Sequence, residues 1–515
     1  MTDIMAEAKQ GADGEAQVQI YDLLVIGGGI NGVGIAADAA GRGLSVLLCE
    51  KSDLASATSS ASSKLIHGGL RYLETWQFRL VRESLAEREV LLRAAPHIVS
   101  PMRFRLPHHK ALRPAWMIRA GLFLYDHLSK RVSLPASRAL RFSATDGLNP
   151  QFNRGFEYSD CWVDDARLVV LNAMQARNHG ATILTRTQCV RLEPAMQGNE
   201  PLWNAELKNC ITGQLIKVSA RCVVNATGPW VSTVARTLYP LSPGEQVRLV
   251  KGSHIVVPRI HERDEAYLLQ NADGRVVFVI PFQQRYSLIG TTEQDYEGDP
   301  ALASISDEET EYLLSVATQY FSKPLQRSDI QHHFSGVRPL MDDGTENASK
   351  ASRDYSLALQ NLPAPLLTIY GGKITTYRKL SEVAMHKLRQ IFPQMKSAWT
   401  ATAALPGGDF ADTAQLRQQI AQQYPWLDQT LIRAWVHRYG TLTHTLLAGA
   451  VKREDLGRWI GPGLYEIEVR YLYCYEWART SDDILWRRTK LGLEFTASER
   501  ALLEEILAAI NTSAG

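Results

Sequence analysis

The chain has 515 residues, more than one hydrophobic core usually supports, so two or three domains are expected. Hydrophobic residues make up 45% and charged residues 21%, as in an ordinary soluble globular protein. Lysine and arginine (56) nearly balance aspartate and glutamate (54), which argues against a dedicated nucleic-acid-binding protein.

The N-terminal residues and the cysteines indicate a cytosolic chain. Residues 1–19 are polar and lack the apolar core of a signal peptide, so we predict a disordered tail. The six cysteines form no C-x-x-C pair, which predicts reduced thiols and no metal site. The longest uncharged stretch, Tyr355–Gly372, contains two prolines and ends in Gly-Gly, which is not typical of a membrane span. Any membrane contact is therefore expected to be peripheral.

The first elements predict a βαβ unit around a glycine-rich turn. Tyr21–Ile26 and Leu44–Glu50 are typical of buried strands, and Ile35–Arg42 favours a helix. Residues 27–32 fit G-x-G-x-x-G, whose glycines allow a tight turn, a close approach to a pyrophosphate and close helix packing. The helix N-terminus can bind phosphates, and Glu50 suits the adenosine ribose hydroxyls. This turn predicts a dinucleotide site without distinguishing FAD from NAD.

Later elements predict a second lobe and a third domain. A helix near 165–178 and strands near 181–192, 203–207, 220–226 and 366–370 continue the doubly wound sheet. Residues 247–345 hold β-rich pieces at 252–258, 276–281 and 286–290, which indicate an antiparallel sheet. After about residue 395 the pattern turns helical, and six of the eleven tryptophans lie there.

Three further segments favour a flavin. Thr58–Tyr72 offers hydroxyls and glycines to a pyrophosphate and a ribityl chain, with a flexible linker as the alternative. Asn225–Trp230 ends an apolar strand in a small-residue turn, as where backbone passes a cofactor, or in an ordinary turn. Gly371–Arg378 joins a strand, two glycines and a helix start, which would stabilise reduced flavin at its N1–C2=O edge. A capped surface helix is the alternative for this third segment.

Together these segments resemble the FAD-dependent glycerol-3-phosphate dehydrogenases of the bacterial aerobic respiratory type. Their broader relatives are the glycine- and D-amino-acid-oxidase-like flavoproteins. The resemblance starts near Asp22 and is most specific in Ser59–Leu73, Gly155–Arg167, Lys251–Pro258, Ser335–Pro339 and Gly371–Lys379. It implies non-covalent FAD and oxidation of sn-glycerol 3-phosphate to dihydroxyacetone phosphate by hydride transfer to flavin N5. It also implies electron delivery to ubiquinone or another membrane quinone.

The predicted fold is therefore α/β, with a doubly wound FAD-binding domain, an antiparallel β-sheet substrate lobe and a C-terminal helical domain. The predicted boundaries are a tail at 1–19, a discontinuous FAD-binding domain at 20–95, 150–235 and 335–394, a substrate and membrane-proximal lobe at 96–149 and 236–334, and a helical domain at 395–515. The residues expected to contact FAD are Gly27, Gly28, Gly29, Asn31, Gly32, Glu50, Thr58, Ser59, Ser63, Lys64, Leu65, His67, Gly69, Leu70, Val190, Ala226, Thr227, Gly228, Gly372, Lys373, Ile374 and Thr375.

The substrate site is expected to hold fixed cations and a proton acceptor, because the implied substrate is a phosphate dianion and an alcohol. The candidates are Arg71, Tyr72, His254, Arg338 and Lys373, of which His254, Arg338 and Lys373 are assigned catalytic roles. Surface ion pairs and a core histidine are the structural alternatives, and a water could equally act as the base. His67 is expected to order its loop and not to anchor the flavin covalently.

Two rival functions remain open. One is another flavin oxidase or dehydrogenase of the same superfamily acting on an amine or a hydroxy acid. The other is a non-catalytic flavin-binding regulator, whose cofactor would stay oxidised with every candidate substrate.

A basic apolar segment at 103–141 contains nine Lys or Arg residues and a single acid, Asp126. Within it, Trp116–Leu128 predicts a helix with a wide apolar face and a narrow polar stripe. Such a helix suits an interfacial anchor on an anionic lipid surface, and a core helix is the alternative. The anchor interpretation places the protein peripherally on the cytoplasmic face of the inner membrane and partly in the cytoplasm. The sequence leaves the oligomeric state open, a homodimer included.

Overall fold

The computed structural model describes residues 19–109, 114–239, 247–271, 273–341 and 353–514, so nearly all of the predicted tail lies outside the described residues. The strands are β1 (Ile20–Ile26), β2 (Val46–Cys49), β3 (Leu65–Ile66), β4 (Val99–His108), β5 (Arg138–Arg141), β6 (Arg154–Val163), β7 (Thr182–Leu184), β8 (Thr187–Gln197), β9 (Glu200–Asn209), β10 (Leu215–Asn225), β11 (Val247–Pro258), β12 (Ala266–Gln270), β13 (Val276–Phe282), β14 (Tyr286–Gly290), β15 (Gln294–Asp295), β16 (His332–Met341), β17 (Tyr355–Gln360), β18 (Leu366–Gly371), β19 (Trp459–Gly461) and β20 (Leu464–Tyr465). The α-helices are α1 (Ile30–Gly41), α2 (Phe78–Ala94), α3 (Ala115–His127), α4 (Asp165–Asn178), α5 (Val231–Leu238), α6 (Asp307–Tyr320), α7 (Tyr377–Leu388), α8 (Thr413–Gln423), α9 (Gln429–Tyr439), α10 (Thr443–Leu446), α11 (Glu466–Tyr475) and α12 (Ala497–Ala514).

The first sheet is the predicted doubly wound sheet. Its strands run in the order β17-β18-β10-β1-β2-β7, parallel from β18 to β7, with β17 antiparallel at one edge and β8 and β9 extending β10. Leu23 and Val25 pack with the helical layer that contains α1, α4 and α7, whereas Leu24 and Ile26 pack toward β8 and β9. Because both faces are covered, β1 ends in four consecutive buried apolar residues, Leu23–Ile26, instead of an alternating pattern.

The second sheet runs in the order β15-β11-β14-β13-β12-β4-β6-β3, with β16 paired to β11 and β5 to β6. It is largely antiparallel, as predicted, although β12 and β4 pair in parallel. Two stretches that were predicted to lie in the FAD-binding domain pair within this second sheet. Residues 154–163 pair with β4 along their whole length, and residues 335–341 pair with β11, although both stretches were expected in the FAD-binding domain. Strand β6 runs almost directly into α4, so no linker marks the change of sheet.

The C-terminal residues form their own helical core, as predicted, with a short β19–β20 hairpin at one side. This domain docks on the first through buried ion pairs. Arg167 pairs with Glu476, and both side chains are fully buried. Arg488 pairs with Asp53 at 2.7 Å. Among the described helices, none has both the length and the apolar composition needed to cross a bilayer.

Candidate active site

A cavity of about 1200 Å³ lies where the carboxyl ends of the parallel strands β1, β10 and β18 meet the second sheet. Ligands of open α/β sheets bind at this edge. Its wall contains most of the predicted cofactor residues: Gly27, Gly29, Asn31, Glu50, Thr58, Ser59, Ser63, Lys64, Leu65, His67, Gly69, Leu70, Val190, Ala226, Thr227, Gly228, Gly372, Lys373, Ile374 and Thr375.

The glycine turn brings the backbone of β1 against that of β10. Gly27 has φ +114°, and a Cβ on it would lie 2.6 Å from the Ala226 carbonyl oxygen. A Cβ on Gly32 would collide with the Gly27 carbonyl. A Cβ on Gly28 would lie 2.8 Å from the Cβ of Glu50. Gly28 and Gly32 do not line the cavity, and both are needed for the close packing of the turn.

Glu50 closes the turn on its other side. Its two carboxylate oxygens accept the backbone N–H groups of Gly28 at 2.7 Å and Ser52 at 2.8 Å. Burial raises the pKa of Glu50, and these two hydrogen bonds oppose that shift. Each oxygen keeps a further lone pair for a ribose hydroxyl.

The Ser-rich loop is anchored at both ends, unlike the flexible linker that was the alternative. Ser59 Oγ accepts the Ile30 N–H at the start of α1 at 3.0 Å, and Thr58 Oγ1 donates to the Val337 carbonyl at 2.6 Å. At the far end Lys64 has φ +58° and is buried against Asp165, with 3.0 Å between Nζ and Oδ2. The loop therefore holds its hydroxyls in place along the cavity.

The residues that line this cavity fit FAD. Asn31 donates to the Gly371 carbonyl at 3.2 Å, while its buried Oδ1 has no hydrogen-bond partner in the described structure and remains able to accept one. Gly372 has φ +98°, and a Cβ there would press on the Asn31 amide at 3.0 Å. A bare backbone and an unsatisfied polar atom on one wall are what a bound cofactor requires.

Four cations meet at the other end of the cavity. Arg71 and Arg353 both pair with Glu293, the former at 3.4 Å. Arg338 Nη2 donates to Thr291 Oγ1 at 3.1 Å, while its buried Nη1 has no partner among the described residues. The fourth cation, Lys373, has its Nζ 3.3 Å from Ser84 Oγ. The cluster therefore has more positive charge than Glu293 neutralises.

The pKa shifts follow from this crowding of partly buried positive charge. Burial, followed by the charge of Arg353, lowers the pKa of Arg338 to about 10. Burial also lowers the pKa of Lys373, whose Nζ lies 4.4 Å from the centre of the Tyr72 ring. Burial alone would raise the pKa of Tyr72, but the charges of Lys373, Arg353 and Arg338 outweigh it and lower that pKa. The site is therefore prepared for an anion.

His254 does not reach the cavity wall, which differs from the predicted direct contact with substrate. Its ring is fully buried, stacks on Phe334 at 4.9 Å and hydrogen-bonds Ser63 Oγ through Nε2 at 2.9 Å. The ring fills the space over Gly290, its neighbour across the β11–β14 pair, where a Cβ would collide with it. Burial, then the charges of Arg338 and Lys64, lowers the pKa of His254 well below its usual value.

Sequence reasoning missed several wall residues. Arg353 and Glu293 lie in stretches without a cofactor-like pattern, so no local signal pointed to them. Trp486, Arg487 and Lys490 also line the cavity, which gives the C-terminal domain a direct part in the site. Their position is fixed by long-range pairing, such as that of Arg487 with Asp53 at 2.6 Å.

Two family models match the chain. Residues 22–378 match the model described as FAD dependent oxidoreductase. Residues 398–515 match the C-terminal domain of alpha-glycerophosphate oxidase.

The chain belongs to the FAD-dependent oxidoreductase family. This confirms the fold class, the FAD cofactor and the resemblance inferred from the sequence motifs.

Named relatives place this flavoenzyme more closely. It is 54% identical over 492 residues to a glycerol-3-phosphate dehydrogenase of Pseudomonas aeruginosa, covering 95% of each chain. It is 52% identical to the aerobic glycerol-3-phosphate dehydrogenase of Escherichia coli, covering 95% of this chain and 98% of that one. It is also 51% identical to a D-erythritol 1-phosphate dehydrogenase of Brucella abortus, with the same coverage.

A solved structure agrees over nearly the whole length. The glycerol-3-phosphate dehydrogenase from Bacillus halodurans, complexed with FAD, superposes with a TM-score of 0.74 at 27% identity. The match covers 96% of this flavoenzyme and 90% of that chain.

We expect heat or acid to release the flavin as free FAD. His67, the histidine in the flavin loop, is half-buried in the cavity wall, and desolvation and the charges of Lys373 and Arg353 lower its pKa to about 3. Its backbone N–H donates to Thr375 Oγ1 at 3.3 Å, which suits a role in ordering the loop. Chromatography of the supernatant checks the pigment. Colour that stays with the precipitate would contradict non-covalent binding, and release of FMN would contradict the assignment of Glu50.

Proposed function

We propose that this flavoenzyme oxidises the C2 hydroxyl of sn-glycerol 3-phosphate to give dihydroxyacetone phosphate. The observation that carries the proposal is the meeting of Arg71, Arg338, Arg353 and Lys373 at one end of the FAD cavity. Arginine guanidinium groups match phosphate oxygens in two-point contacts, and lysine adds a point charge. A phosphate dianion accounts for four cations around one carboxylate better than an amine or a simple hydroxy acid does.

The chain's own groups suggest how the alcohol is handled. Arg338 has a free buried N–H for a substrate oxygen, and Tyr72, which lines the same wall, can donate a hydrogen bond. When bound, FAD supplies the acceptor for the hydride that leaves C2. The hydroxyl proton has a route to Ser63, whose Oγ lies 2.9 Å from His254 Nε2. Because burial and the charges of Arg338 and Lys64 lower the pKa of His254, its protonated form is disfavoured, so His254 positions Ser63 and a water remains the alternative acceptor of the proton.

Anaerobic reduction of the flavin tests the substrate. We expect sn-glycerol 3-phosphate to bleach the absorbance of the purified enzyme under nitrogen, whereas glycerol, lactate and glycine should leave it unchanged. D-erythritol 1-phosphate belongs in the panel because one relative bears its name. Faster bleaching by that ester would reassign the substrate within the phosphate esters. A flavin that stays oxidised with every phosphate ester would refute the proposal and favour a regulator.

We also propose that the enzyme works on the cytoplasmic face of the inner membrane and passes its electrons to a quinone there. Helix α3 supports this because it is apolar on two faces. Ile118, Leu122 and Tyr125 pack inward, whereas Trp116 and Phe123 are 70% and 62% exposed. Leu124, 38% exposed, lies beside them. An interfacial anchor needs such an outward apolar face together with positive charge nearby.

Replacing Phe123 and Leu124 by aspartate is expected to release the enzyme from anionic liposomes. Both side chains point outward, so the fold should survive the change. Activity with a soluble dye should persist, while activity with membrane quinone should fall sharply, because dye reduction needs no membrane. Co-sedimentation with liposomes measures the release.

A matched control replaces two exposed apolar residues elsewhere, Ile211 and Leu215, by aspartate. This control should bind liposomes as the wild type does. Wild-type liposome binding by the Phe123/Leu124 variant would show that the anchor lies elsewhere. Loss of flavin from this variant would indicate that α3 is a core helix.

A further inference from the structure

A second groove, separate from the flavin cavity, lies between α2, the end of α3 and the start of α7. Its volume is about 870 Å³. It is lined by six cationic residues and three carboxylates, which are Arg79, Arg82, Lys130, Arg131, Arg378, Lys379, Glu83, Glu87 and Asp126. We call it the basic groove. None of these residues lines the flavin cavity, so the site described above does not account for their charge.

Ion pairs fix several side chains of the basic groove, but two of its cations have no ion-pair partner in the described part of the chain. Arg378 donates to Glu87 at 2.7 Å, and Arg131 pairs with Asp126 at 3.0 Å. Arg82 and Lys130 are exposed, and neither has an ion-pair partner in the described part of the chain. These two side chains are therefore available to an external anion.

The basic groove is continuous with the outward apolar face of α3. His127, one of its lining residues, lies on the ring of Phe123, with 4.2 Å between the ring centres. Lys130 follows two residues after the C-cap of the same helix. Cations beside an exposed apolar helix suit a molecule that carries an anionic head and apolar chains.

We propose that the basic groove binds the phosphate of an anionic phospholipid whose acyl chains lie along the exposed face of α3. This inference rests on the proposed membrane association and assigns that association a defined headgroup site. A diffuse attraction between a basic protein and a charged bilayer would need no groove and would depend equally on any cations of this surface. The test therefore compares groove cations with cations outside the groove.

The experiment measures the affinity of the holoenzyme for phosphatidylglycerol vesicles in the wild type and in Arg82→Gln/Lys130→Gln. Each charge near an anionic surface is worth about 1 kcal/mol, so two removed charges predict binding about 10- to 30-fold weaker. The matched control is Arg141→Gln/Arg154→Gln, which removes two exposed cations outside the groove that also have no ion-pair partner among the described residues. The control should weaken binding by less than about threefold. Activity with a soluble dye should be unchanged in both variants.

A soluble short-chain phosphatidylglycerol, used below its micelle concentration, separates the possible ligands. We expect it to bind the wild type and not Arg82→Gln/Lys130→Gln, while short-chain phosphatidylcholine and millimolar inorganic phosphate do not compete. Equal losses of vesicle affinity in the groove and control variants would show that diffuse attraction, and not a headgroup site, accounts for binding. Competition by inorganic phosphate would make the groove a free-anion site and overturn the lipid assignment. Vesicle binding by Phe123→Asp/Leu124→Asp would refute the α3 anchor itself, an outcome distinct from failure of the groove.

Discussion

Replacement of Arg338 by alanine is expected to lower kcat/KM for sn-glycerol 3-phosphate about 10- to 150-fold while FAD stays bound. The guanidinium has a buried, unpartnered Nη1 beside the cavity, and its other terminal nitrogen is fixed by Thr291. Loss of a charged hydrogen bond to the substrate typically costs about 1.5–3 kcal/mol. Replacement of Lys373 by alanine is expected to fall in the same range, because its ammonium lines the same wall.

Stability distinguishes a functional role of Arg338 from a structural one. Its pKa is lowered to about 10, so the folded protein disfavours its charge. Removing that charge should therefore leave the thermal midpoint unchanged or raise it, while activity falls. Steady-state kinetics measure the loss of activity, the flavin absorbance per protein measures FAD binding, and a thermal melt measures stability. Wild-type kinetics in both alanine variants would contradict the assignment, and loss of flavin would move Arg338 to a structural role.

Replacement of Asp165 by alanine is expected to destabilise the enzyme by about 3–5 kcal/mol. Its fully buried carboxylate pairs with Lys64 at 3.0 Å, lies 3.7 Å from the Lys490 ammonium and accepts the Ser62 hydroxyl at 2.7 Å. The variant would leave the Lys64 ammonium buried without a carboxylate partner at hydrogen-bond distance. Because Asp165 joins the flavin loop to the C-terminal domain, FAD affinity should also fall.

A thermal melt of the holoenzyme and a flavin-release titration measure the effect of Asp165→Ala. A drop in the midpoint of about 3–5 °C is expected for a chain of this length. The matched control is Glu193→Ala, which breaks the exposed pair with Arg191 and should cost at most about 1 kcal/mol. Equal melting of the two variants would show that the buried pair adds nothing to stability.

Local sequence determined the cofactor half of the site. The turn at 27–32, its flanking strands and Glu50 lie within about one βαβ unit, so spacing alone predicts which backbone meets the pyrophosphate. The motif at 371–378 could be interpreted in the same way, since a strand, two glycines and a helix start are contiguous in the chain. These predictions needed no knowledge of which distant segments pair.

The family resemblance predicted Arg71, Arg338 and Lys373 in the substrate half, but only the tertiary structure decided how they meet and which partners they have. The apolar run around His254 predicts a strand but cannot show that Gly290 receives the ring of His254 or that Ser63 hydrogen-bonds it from the cavity wall. Arg353 and Arg71 are far apart in sequence and meet only because both pair with Glu293. Likewise, Lys490 reaches the cavity from the last domain by pairing with Asp164. Strand pairing and ion pairing join residues hundreds of positions apart, and local periodicity carries no information about such partners.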